Sequence, residues 1–206
     1  MDFEFRQIEG ALAATFEIAD DRRSAFVHRL QHIQKKGFPS GTNTGRGRAA
    51  VYRVEHLFLL AVLLELGQLG YTPARAAKLI TDNLIDLGGI AYGAASRDPA
   101  KAFDHPIVLY MRPAGLGDLV VSSTADHIFL HGDFERAQED FAWAFKQGQM
   151  RMAFFSLSAL IQKLATIIMA GTDQPIIRFY EELAAWGSAM AAKNFEDLFV
   201  AAEKDR

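Results

Sequence analysis

From Asp20 to Arg53 the chain reads DDRRSAFVHRLQHIQKKGFPSGTNTGRGRAAVYR. The first part has a helical period. Phe26, Leu30 and Ile33 recur at i, i+4 and i+7, the spacing of one buried stripe. Arg22, His28, Arg29, His32 and Lys36 fall largely off that stripe. Asp20 or Asp21 is placed to cap the helix, because a carboxylate there can accept from free first-turn amides. Gly37 ends it in the C′ manner, with Pro39 just beyond. The second part changes character. Ser40 to Arg48 holds three glycines, which permit a tight hairpin tip, and Val51 and Tyr52 favour a strand. A basic helix followed by a basic hairpin is the expectation, the alternative for the hairpin being a mobile surface loop.

The charge of this stretch is one-sided. Between Arg22 and Arg53 lie eight bases and no Asp or Glu: Arg22, Arg23, Arg29, Lys35, Lys36, Arg46, Arg48 and Arg53. The whole chain nevertheless carries a formal charge of −3. A run of +8 inside an acidic protein is the electrostatic footprint of a polyanion partner, although a charge run alone is more often a solvated face.

The neighbouring segments give the run a context. Upstream, Phe5, Ile8, Leu12 and Phe16 recur at helical spacing, so a helix is expected over 2–16, with Glu17-Ile18-Ala19 as a short link. Downstream, Val54 to Leu69 is apolar on most of its circumference and should be buried on several sides. Gly70 ends it, Thr72 and Pro73 can start a fourth helix, and Ala76, Leu79, Ile80 and Leu84 or Ile85 carry that helix to Leu87. Two helices, a tight link and a basic second helix form a helix-turn-helix pattern, and a basic hairpin after the second helix is a wing. The second helix would enter the major groove of double-stranded DNA and the wing would lie along phosphates or the minor groove. Candidate DNA contacts are Arg22, Arg23, Ser24, His28, Arg29, His32, Lys35 and Lys36 on the helix. On the hairpin they are Thr42, Asn43, Thr44, Arg46, Arg48 and Arg53. Arginines at the helix start suit guanine, whose O6 and N7 accept a bidentate pair.

The order of these elements, with a Tyr-Arg pair entering a leucine-rich helix and then Glu65–Ile80, ELGQLGYTPARAAKLI, resembles the winged helix-turn-helix of the MerR-like regulators. The resemblance covers about residues 5–87. It implies DNA binding by helix and wing. It does not extend to the family's effector or promoter untwisting, because the family's arginine and paired aromatics before the wing are absent, as are metal-binding cysteines.

Residues 88–99, with Gly88, Gly89, Gly93, Ser96 and Pro99, read as a linker. Beyond it, 106–111 and 127–131 read as strands, Asp133 caps a helix through Lys146, and Met150–Leu157 is strand or helix. Ser158–Met169 reads as a helix. Another follows from Thr172 or Asp173 and breaks near Asn194, leaving a short last helix over 195–204. No catalytic constellation is visible. His127 and His131 would lie about 13 Å apart on a strand, too far for one ion. Gly115 and Gly117 lack the third glycine of a phosphate loop, and Ser122 and Ser123 sit in no nucleophile elbow.

The fold class expected is mainly α with small β content: a winged helix-turn-helix over 1–88 and a small α+β domain over 100–206. With half its 206 residues apolar, the chain can bury a core. The absence of cysteine excludes disulfides, thiolate zinc sites and a cysteine nucleophile. The longest apolar run, Leu57–Leu64, is far short of the roughly 20 residues of a membrane span, and no signal peptide is visible. The reading is a cytoplasmic, non-enzymatic, homodimeric transcriptional regulator that binds double-stranded DNA, with no cofactor, metal or membrane partner. A transcription-machinery protein or a small effector is a further candidate partner. The alternative is a protein-interaction module that uses the same scaffold without reading DNA.

Overall fold

A computed structural model describes residues 1–42, 50–111 and 130–204, the side chains of Leu130 and of 194–204 excepted. It is mostly helical, with one small antiparallel sheet, as the composition and periodicity imply. Eight α-helices lie among the described residues: α1 Phe5–Thr15, α2 Arg23–Lys35, α3 Val54–Gln68, α4 Pro73–Asp82, α5 Leu84–Ala95, α6 Phe134–Lys146, α7 Leu157–Met169 and α8 Ile177–Lys204. The strands are β1 Val108–Met111, β2 Leu130–Gly132 and β3 Ala153–Ser156. No described helix is long and apolar enough to cross a membrane.

The chain divides into two compact units that are discontinuous in sequence. The first joins Met1–Lys78 to Leu160–Glu182, and the second joins Leu79–Ala159 to Leu183–Arg206.

In the first unit, Ile8 and Leu12 of α1 and Phe26, Leu30 and Ile33 of α2 are buried, as their spacing requires. The link between these helices turns at Glu17, whose φ of 54° is in the left-handed region. The Ile18 amide there donates to the Ala13 carbonyl at 2.9 Å, satisfying one of the free groups at the end of α1. Lys163 of α7 reaches back to Glu17 at 2.9 Å, which holds the Glu17 carboxyl below its usual range through the hydrogen bond and the charge. Every residue of α3 from Leu57 to Leu63 is at most 6% exposed. That is burial on all sides of a helix, and it accounts for its uniformly apolar sequence.

In the second unit the strand order is β2-β1-β3, with Tyr110 opposite Leu130 on one side and Phe154 on the other. Val108, Tyr110 and Ala137 pack together with Phe141 and Met152, so α6 covers one face of the sheet. Asp133 caps α6 by accepting from the Arg136 amide at 2.9 Å. The short Tyr110–Asp140 hydrogen bond ties sheet to helix. At the start of α7, the Ser158 hydroxyl accepts from the Ile107 amide at 2.9 Å, a buried bond across 51 residues.

Four segments depart from the sequence expectation or resolve it. The fourth helix stops at Asp82, where the Asn83 side chain donates to the Leu79 carbonyl at 2.8 Å. The glycine-rich stretch expected to be a linker is helix α5. Its Gly88 lies against Gly187 and Met190 of α8, so a glycine with the look of a chain breaker is a packing residue. Helix α8 runs unbroken past Asn194. The Met150–Leu157 run, compatible by period with strand or helix, holds strand β3 and hands over directly to α7. The expected strands at 106–111 and 127–131 correspond to β1 and β2, although 127–129 and the intervening 112–126, with Gly115, Gly117, Ser122 and Ser123, lie outside the described residues.

Candidate nucleic-acid interface

Helix α2 supplies the site. Its apolar stripe faces inward, which leaves Ser24, His28 and Lys35 on the opposite side at i, i+4 and i+11 spacing, all exposed. Arg29, His32 and Lys36 lie along one flank and are exposed as well. Arg22 precedes the helix in a short 3-10 turn, Asp20–Arg22, and pairs with its exposed neighbour Asp21 at 3.3 Å. Arg29, Lys35 and Lys36 have no ion-pair partner among the described residues. These cations are therefore held on a rigid element and not neutralised by an acid among the described residues.

Two of the expected contacts are placed otherwise. Arg23 turns toward α1 and grips Glu9 with two hydrogen bonds, a short one from Nε and one of 3.1 Å from Nη2. Glu9 is buried, so this bidentate pair fastens α1 to α2 and raises the Arg23 pKa through the hydrogen bond. Sequence reasoning does not single out this partner, although 100° per residue puts Glu9 beside Ile8 and Leu12 on the apolar stripe of α1. Thr42 is fully buried. Its hydroxyl donates to the Pro39 carbonyl at 2.8 Å and its own carbonyl accepts from Gln34 at 2.9 Å. It is thus built into the fold rather than the surface.

The arginine-rich tip falls on 43–49, so Asn43, Thr44, Arg46 and Arg48 lie outside the described residues. Its two flanks are anchored. Burial, partly offset by the neighbouring Thr42 side chain, pushes the Tyr52 hydroxyl up to about 12. The extended segment expected at Val51-Tyr52 pairs with the N-terminus: Phe3 and Tyr52 form an antiparallel bridge with amide–carbonyl distances of 2.7 and 2.9 Å. Arg53 follows, exposed, 3.8 Å from Asp2. His56, one turn into α3, accepts the Arg53 amide on Nδ1 at 3.0 Å and packs edge-on against Tyr52. Burial lowers the His56 pKa, with Glu55 opposing and Arg53 assisting.

Beside α2, the first unit opens two clefts that share Pro73. One, of about 220 Å³, is lined by Phe16, Phe26, Arg29, Leu63, Gln68 and Tyr71 among others. The other, of about 410 Å³, includes His32, Ile33, Lys36, Phe38 and Ala74 in its lining. Neither is legible in the sequence, because no local period encodes a gap between helices. Among the described residues no group of three or more His, Asp and Glu side chains is placed to hold a metal ion.

No protein-family model, curated protein or solved structure matches this chain.

Proposed function

We propose that this protein is a sequence-specific DNA-binding transcriptional regulator of the winged helix-turn-helix kind, with α2 in the major groove. One observation carries the reading: within the acid-free stretch from Arg22 to Arg53, Arg29, Lys35 and Lys36 are exposed along α2 with no ion-pair partner among the described residues. The helix pair α1–α2, clamped by Glu9 and Arg23, gives that surface the rigidity base reading needs. Arg46 and Arg48 follow α2 in sequence, between the buried Thr42 and the Tyr52 that bridges to Phe3, which supports reading that segment as a wing. The resemblance to the MerR-like regulators fits this arrangement at the level of element order.

The second unit is the proposed association surface. Phe134, Trp143, Phe145 and Phe154 are each more than 40% exposed there, and Phe134 and Phe154 lie 6.4 Å apart by ring centroid. A homodimer on a two-fold site would double the base contacts.

The test is selection from a pool of random duplexes with the purified chain. Enrichment of a shared sequence is expected. Retention of an acidic polypeptide with no enrichment of any duplex would overturn the reading in favour of a protein-interaction module.

A further inference from the structure

The larger cleft beside α2 has a chemistry of its own. Ile33 and Phe38 are buried at 3% and 7% exposure, and Pro73 and Ala74 complete an apolar wall. The volume of about 410 Å³ falls inside the roughly 300–1,000 Å³ typical of small-molecule clefts. Two basic side chains stand among these apolar ones. His32 and Lys36 are four residues apart on α2, hence neighbours on its surface, and no carboxylate lines the cleft among the described residues. Lys36 has no ion-pair partner among those residues. An apolar wall with an unneutralised ammonium beside it complements one kind of molecule: a compact apolar body carrying a single anionic group.

We infer that this cleft binds a small organic carboxylate, its apolar body against Ile33, Phe38 and Pro73 and its carboxylate on Lys36 and His32. The same two side chains belong to the surface proposed to meet DNA. Occupancy therefore withdraws a positive group, Lys36, and a hydrogen-bonding group, His32, from the phosphate backbone, and the carboxylate becomes an effector that releases DNA. That coupling rests on the DNA-binding reading, whereas binding in the cleft does not.

The experiment titrates the full chain, free of DNA, with 2-naphthoate and with decanoate by calorimetry, using the neutral 2-naphthamide for comparison. Saturable binding of at least one acid is expected, with the amide at least tenfold weaker. Ala74→Trp fills the cleft from an exposed position and should abolish binding, with circular dichroism confirming an unchanged fold. Lys36→Ala should weaken it tenfold or more. Failure of both acids to bind, or binding indifferent to Ala74→Trp and Lys36→Ala, overturns the site. A second arm measures duplex affinity with and without saturating acid. A fall of tenfold or more is expected. Binding of the acid with unchanged duplex affinity overturns the coupling alone, and a chain that binds no duplex without acid overturns the DNA reading instead.

Discussion

Arg23 and Arg29 belong to one basic stretch and are used differently. Arg23 neutralises the buried Glu9, whereas Arg29 stands at a cleft edge with no ion-pair partner among the described residues. Arg23→Ala strands a buried carboxylate and should cost about 1–3 kcal/mol in urea unfolding, while Arg29→Ala should change stability little. Equal stabilities for the two variants would show that the Glu9 pair does not hold α1 to α2. His56 provides a second test at this scale. Its folded-state pKa is lowered, chiefly by burial, so the folded protein resists the proton that the unfolded chain takes up near pH 6.5. The stability His56 contributes is complete above that pH and is lost as the pH falls toward the lowered value. The urea midpoint should drop from pH 7.5 to 5.5, and His56→Gln should flatten part of that drop. An unchanged pH dependence in the variant would contradict the assignment. At this scale the sequence is partly legible. Residue type tells which side chains are basic and which stripe is buried. It does not tell that Arg23 turns inward, because that depends on an acid fourteen residues away on another helix.

Most element positions follow from period and caps. Helices α1, α2, α3 and α6 lie where apolar spacing, Gly37, Gly70 and Asp133 put them. Helix α5 does not, because Gly88, Gly89 and Gly93 mimic a linker and only the packing of Gly88 against α8 shows otherwise. A Cβ on Gly187 would lie 2.5 Å from the Gly88 carbonyl oxygen and 2.7 Å from the Tyr92 nitrogen. Gly187→Ala should therefore destabilise the protein by about 1–3 kcal/mol through overpacking. Gly93 has nothing within 4 Å of such a carbon, so Gly93→Ala should gain up to about 1 kcal/mol of helix propensity. Thermal unfolding of the two variants checks the contrast, and equal shifts would remove the close α5–α8 approach. Helix α2 carries its own prediction. Lys35 lies directly opposite the buried stripe, so Lys35→Ala should weaken binding to all duplexes about equally and leave the preferred sequence unchanged. A changed sequence preference would show that α2 sits differently on DNA.

At the scale of the whole molecule, the net charge of −3 is a sum of unlike parts. Residues 1–90 hold 11 bases and 10 acids, and residues 91–206 hold 11 and 15, so the basic stretch is offset partly by acids far from it along the chain. That asymmetry is legible from residue order alone. The composition of the units is not, since local periodicity carries no sign that Leu160–Glu182 joins the N-terminal segment. The candidate surface is half legible. Helix α2 and its exposed cations follow from the spacing of bases and apolar residues, whereas the inward Arg23, the buried Thr42 and the clefts depend on contacts between elements. This surface is proposed to meet a phosphate backbone. The direct measurement is duplex affinity across a series of salt concentrations. If Arg22, Arg29, Lys35, Lys36 and the cations that follow them neutralise about six phosphates per half-site, log affinity should fall against log salt with a slope near −5 per half-site. A slope near zero would show that these cations do not bind phosphates.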